Sequence, residues 1–276
     1  MADDALSTLN WLVEAGADEA LADAPINRLV AKPPLPPAPH VAAPRAAVPP
    51  RAPAPARAPV ATPQDGDVIG GAMAAASAAT TLEELRTALE AFDGCGLKRT
   101  ATNTVFADGV ATGRVMLIGE APGRDEDRIG KPFVGRAGQL LDKMLASIEL
   151  DRKTNAYITN VINWRPPDNR DPTPEEAAAC LPFLRRHIEL AQPGIIILLG
   201  AVAARHLVGS NEGIMKLRGR WLEYRVGDHM VPLMPTLHPA YLLRQPAHKK
   251  LAWRDLQAVR DKMKTFGLPE TATQFN

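Results

Sequence analysis

Four short runs dominated by apolar residues punctuate the chain from residue 114 onward, at 114–119, 155–161, 194–200 and 230–236, and each has the length of a buried strand. Between them apolar positions recur every three or four residues, the helical period. Leu140, Leu141, Met144, Leu145 and Ile148 form one stripe, and Ala252, Leu256, Val259 and Met263 form another near the C-terminus. Thr81 and Glu84 make a capping box ahead of Leu82, Leu85, Leu89 and Phe92. Thr173-Pro174-Glu175-Glu176 combines an N-cap, a proline in the first helical position and a capping-box glutamate. Pro182 is expected to kink the helix that follows, and Ala201–Val208 should end as a short helix at Gly209. Strands alternating with helices predict right-handed crossovers and a mostly parallel sheet covered on both faces, a three-layer α/β/α sandwich.

Residues 1–74 follow neither pattern. Leu6, Leu9, Val13 and Leu21 fall at near-helical spacing beside Trp11 and Leu12, interrupted by Gly16, so residues 1–30 read as a short helical segment. It is either a docking helix for a protein partner or a helix packed on its own domain. Residues 31–74 form a Pro/Ala-rich linker, with twelve prolines from Pro33 to Pro63 that prevent both helix and ladder and favour an extended, semi-rigid tether. Arg45, Arg51 and Arg57 give it a weak positive character. The folded domain is expected over 75–276.

A formal net charge of +1 removes any global attraction to a polyanion, so a nucleic-acid site must be a local basic patch. Only Cys95 and Cys180 occur, without a CxxC pair, which excludes a disulfide framework and fits a reducing cytoplasm. The acidic start Met1-Ala2-Asp3-Asp4 is unlike a signal peptide, and no apolar stretch approaches a membrane span, so the chain reads as cytoplasmic with no membrane partner.

Chemistry-bearing residues gather just after three of the predicted strands: Gly119 to Gly138, Asn160 to Arg170, and Thr236-Leu237-His238-Pro239. In an open parallel sheet those positions border the crevice where ligands bind, so the three clusters should meet. The blocks GEAPGRDEDRIGKPFVGRAGQLLD, TNVINWRPPDNRDPTPEE, IMKLRG and TLHPAYLLR occur in that order. In sequence and spacing, from about Gly94 to Met263, the chain resembles the type 4 (family 4) uracil-DNA glycosylases. The resemblance implies base excision repair, in which uracil is flipped out of DNA and its N-glycosidic bond hydrolysed to leave an abasic site. It implies Glu120 and His238 as catalytic residues, the first orienting water and offsetting a cationic sugar, the second stabilising the departing base through uracil O2. Phe133 would stack on the base, Asn160 would read its pairing edge, and Ala121 and Glu126 would line the pocket. Tyr241, Leu242 and Leu243 follow the His-Pro turn as candidate wedges for the vacated stack, and Arg136, Arg165, Arg170, Lys216, Arg218 and Arg244 are candidate DNA-binding cations.

The family pattern also holds four cysteines around a four-iron, four-sulfur cluster, and here the chain departs from it. Cys95 and Cys180 match the second and fourth positions, whereas Phe92 and Trp164 stand at the first and third. Two large apolar side chains in place of ligands predict a filled cluster volume, a cofactor-free fold, and buried thiols in or near contact. The segment after His238 lacks the basic insertion of the related class that becomes trapped on DNA, which implies ordinary turnover by a monomer. Two alternatives remain: a catalytically inactive DNA-binding or scaffold protein, and a glycosylase of broader damaged-base range.

Overall fold

A computed structural model describes residues 65–268; the expected N-terminal helical segment and the tether up to residue 64 lie outside the described residues. In chain order the elements are α1 (Asp65–Ala78), α2 (Leu82–Ala91), β1 (Asp108–Gly109), β2 (Val115–Gly119), α3 (Arg124–Ile129), α4 (Arg136–Ala146), β3 (Ala156–Asn160), α5 (Pro174–Ala191), β4 (Ile195–Leu199), α6 (Ala201–Val208), α7 (Ile214–Leu217), β5 (Leu222–Val226), β6 (His229–Thr236), α8 (Pro239–Arg244) and α9 (Lys249–Thr265). Helix α1 begins inside the stretch expected to be linker, so regular structure starts ten residues before the expected boundary at 75. Its Ala72 and Ala76 are buried against the core, and burial of a small-residue face gives this alanine-rich sequence its reason to fold.

The four apolar runs become the four parallel strands of a six-stranded sheet ordered β1-β3-β2-β4-β6-β5, with β1 and β5 antiparallel at the edges. Every residue of β2, β3 and β4 is buried, as strands covered on both faces require. Alternate side chains serve opposite layers. Met116 and Ile118 join the cluster built with α1, α2, α5 and α6, while Val115 and Leu117 join the one built with α4, α8 and α9. The edge strands escaped the sequence reading. Yet Leu222 to Val226 alternates in burial and is joined to β6 by the two-residue turn Gly227-Asp228, with Gly227 at φ 56°, a recognisable hairpin signal.

Local chemistry sets the helix ends. Thr173 and Glu176 form the reciprocal box at the start of α5, which then runs as one helix through Pro182. At α2 the box is only half made. Thr81 accepts from the Glu84 N–H, but the Glu84 carboxylate turns to the N–H and hydroxyl of Thr80. The strand order reverses at β2, whose neighbours are β3 on one side and β4 on the other. The crevice of the sheet therefore lies at the carboxyl ends of β2 and β4, where Glu120 and Gly200 emerge.

Candidate active site

A cleft of about 540 Å³ opens at that switch point. Glu120, Ala121, Glu126, Phe133, Asn160 and His238 all line it, so the three polar clusters meet in space. Glu120 and Ala121 follow β2, Asn160 ends β3, and His238 follows β6 as the N-cap of α8. Phe133 comes from the turn between α3 and α4. Its ring centroid lies 5.5 Å from that of His238, and its backbone has φ 53°. Gly119 is required by this assembly, because a β-carbon there would collide with both Asn160 Oδ1 and the Phe133 ring.

The polar groups are poised differently. Asn160 is 2% exposed and its Oδ1 has no hydrogen-bond partner. An orphaned buried acceptor costs about 1–3 kcal/mol, and a ligand N–H in the cleft is what would recover it. The His238 Nδ1 accepts from the Ala240 N–H at 3.1 Å. That bond leaves the ring proton on Nε2, so the imidazole enters the cleft as a neutral donor. Burial, reinforced by the Arg244 cation, pushes its pKa down to about 4, which keeps it neutral. Glu120 moves the other way. Burial and the nearby Asp171 carboxylate raise its pKa to about 7, against the opposing pull of Arg205.

Glu126 reaches the cleft wall, but its oxygens are committed. Oε2 accepts from Gly123 N–H at 3.1 Å, and Oε1 accepts from Val134 and Gly135 N–H, both at 2.9 Å. It lines the pocket as expected and also ties the start of α3 to the turn carrying Phe133.

Among the expected DNA contacts, Arg170, Tyr241 and Arg244 line the cleft, while Arg136, Arg165 and Lys216 lie outside its lining. Arg170 is also paired with Glu176 at 2.6 Å, and the Tyr241 hydroxyl bonds His248 Nδ1 at 2.7 Å. Two expectations need correction. Arg218 is turned inward, bonding the Leu251 carbonyl and the buried Asp255, which also accepts from Thr236 Oγ1 at 2.7 Å. This cation braces the end of β6 two residues before His238, with Nε and Nη2 engaged and its charge already paired with Asp255. Leu242 is 1% exposed and belongs to the core, whereas its neighbour Leu243 is 37% exposed. In a six-residue helix successive side chains point about 100° apart, so only one of the pair can face outward. The lining residues Asp171 and Asn169 were not singled out beforehand; their place inside the RPP block was the available signal.

The residues at the four cluster positions lie in one apolar cluster with Phe183. Trp164 is 1% exposed and its indole N–H donates to Thr104 Oγ1 at 3.0 Å. The Phe92 ring packs on Phe183 with centroids 5.1 Å apart. Cys95 and Cys180 are both free and buried, and their mutual interaction lowers the first pKa and raises the second. Two thiols walled by aromatic rings do not fit a four-thiolate cluster, and among the described residues no group of three or more His, Cys, Asp or Glu side chains is placed to hold a metal ion.

A switch-point cleft that pairs an aromatic wall with an unsatisfied amide, a neutral imidazole and a protonatable carboxylate is a pocket for a flat, polar ring. The chain belongs to the uracil-DNA glycosylase family: the group described as the Uracil DNA glycosylase superfamily matches residues 106–257. Several type-4 uracil-DNA glycosylases are among the proteins similar to this chain. The type-4 uracil-DNA glycosylase of Thermotoga maritima is 40% identical over 176 residues, covering 63% of this chain and 90% of that protein. Those of Sulfurisphaera tokodaii and Archaeoglobus fulgidus are 36% and 43% identical, over 66% and 55% of this chain and 84% and 78% of their own lengths.

Proposed function

We propose that this protein is a monofunctional uracil-DNA glycosylase of base excision repair. The observation that carries it is the orphaned Asn160 Oδ1 beneath the Phe133 ring and beside the neutral His238. Uracil presents an N3–H donor next to the O4 acceptor. The Asn160 amide offers the complement, Oδ1 accepting from N3–H and Nδ2 donating to O4, whereas cytosine presents the reversed order. An extrahelical uracil stacked on Phe133 turns its O2 toward the His238 Nε2–H.

Cleavage of the bond between C1' and N1 leaves negative charge on the base and positive charge on the sugar. The imidazole N–H strengthens its bond to O2 as that charge grows, which is differential stabilisation of the transition state. Ionised Glu120 offsets the cationic sugar and orients the water that adds to C1', taking up its proton. A pKa of about 7 suits this exchange near neutral pH. Ala121 and Pro122 complete the wall beside the base. Arg170 and Arg244 at the cleft, with exposed Arg136 and Lys216, supply the local cationic patch, and Leu243 is the side chain available to fill the vacated stack.

No iron–sulfur cluster is assigned a part, since the corner where the family pattern would hold it is filled by Phe92 and Trp164. The enzyme acts as a cytoplasmic, nucleoid-associated monomer on uracil-containing DNA, and its N-terminal segment remains the candidate contact for a protein partner. Among the described residues no helix is long and apolar enough to cross a membrane. The test is incubation with a uracil-containing oligonucleotide followed by alkali. Strand scission at the uracil is expected; intact strands with DNA binding retained would assign the protein to the scaffold alternative instead.

A further inference from the structure

We propose that Arg152 is a positioning residue for the base-stacking ring, holding the Pro132–Phe133 turn from the side remote from the cleft; this rests on the glycosylase reading above. Phe133 has φ 53°, a left-handed conformation that is strained for a bulky residue and persists only where its surroundings enforce it. Glu126 holds the N–H groups that follow the ring. Arg152 holds the carbonyls at and before it: Nη2 donates to Phe133 O at 2.8 Å and Nη1 to Pro132 O at 3.1 Å.

The guanidinium is itself fixed. Its Nε donates to Asp142 on α4 at 2.9 Å, its Nη1 to Asp108 on β1 at 3.0 Å, and the side chain is only 13% exposed. A rigid fork that divides its donors between two carboxylates and two carbonyls cannot be reproduced by a lysine ammonium. Close packing makes the position sensitive. A β-carbon at Gly138 would overlap the Phe133 carbonyl, and one at Gly119 would strike the ring, so the turn is pressed between α4 and the end of β2. The ring and the Asn160 amide crowd the same point above Gly119, so a shift of the turn disturbs stacking and edge reading together.

Arg152→Met keeps the stem and removes the donors, while Arg152→Lys keeps one point of charge. Asp108→Asn with Asp142→Asn weakens the ion pairs but spares both carbonyl bonds. Single-turnover cleavage is expected to fall about tenfold to a hundredfold in Arg152→Met, less in Arg152→Lys, and least in the aspartate double variant, with affinity for uracil-free DNA unchanged. In a Phe133→Ala background Arg152→Met should cost less than about twofold more, because its effect runs through the ring. Full additivity in that cycle, or an aspartate double variant as slow as Arg152→Met, would overturn the proposal. A substrate-free readout separates its failure from that of the glycosylase reading: the labelled ring resonances of Phe133 should move in Arg152→Met or Arg152→Lys and stay in place in the aspartate variant. Unmoved resonances in both arginine variants would also overturn it.

Discussion

The cleft and the cysteine corner are built partly from the same stretch of chain, with buried Asn160 lining one and Trp164, four residues on, at the heart of the other. Their physical characters are opposite. The cleft retains an unpartnered acceptor, a carboxylate with a raised pKa and an aromatic residue at positive φ. The corner is closed: its indole N–H is bonded, its two free thiols are buried and its rings pack together. Unspent polar capacity marks the region that awaits a ligand, and close packing marks the one that holds the fold. Stability and chemistry should therefore respond to different substitutions, and the separation can be tested.

The largest effect should come from the cleft. His238→Ala removes the donor that meets the departing base and is expected to lower single-turnover cleavage by about 10²–10³, with little change in Tm. Comparable loss of Tm would mean that this imidazole is a brick of the fold. Next comes the corner, where Trp164→Ala should cost about 3–5 kcal/mol in denaturant unfolding, through the cavity it leaves, while the surviving folded protein cleaves within severalfold of the parent rate. An absorbance band near 400 nm in anaerobically purified protein would refute the filled corner outright.

The pH dependence gives a smaller effect with a defined sign. The active form of Glu120 is the carboxylate and its pKa is raised to about 7, so kcat/KM should fall about tenfold per pH unit below that value. Asp171→Asn removes one cause of the rise and should move this limb to lower pH. His238, neutral above about 4, should add no limb between the two values. The smallest contrast lies in adjacent leucines. Leu242→Ala should lower stability by about 2–5 kcal/mol, whereas Leu243→Ala should leave Tm in place and weaken capture of duplex uracil. Reversed outcomes would exchange their assigned places in core and wedge.

Much of this was legible in one dimension. Burial on both faces imposes a continuous apolar run, so β2, β3 and β4 stood out, and the antiparallel edges did not, being interrupted by charged residues or only two residues long. Motif spacing likewise placed Glu120, Phe133, Asn160 and His238 at strand ends and loops. It could not assign duties to Glu126, Arg218 or Arg152. Whether a charged side chain faces DNA, braces a strand or holds a turn depends on partners between 8 and 44 residues away.

Taken alone, the order of residues determined the layered sheet, the family likeness and the members of the cleft, because periodicity and strand-end position are local properties. Only the tertiary structure decided which tautomer His238 carries, which acceptor is left unmet, which leucine is buried and which arginines are already engaged. Those outcomes are set by distances between segments that sequence does not encode as neighbours, and by the requirement that each buried polar group find a partner or be kept for a ligand.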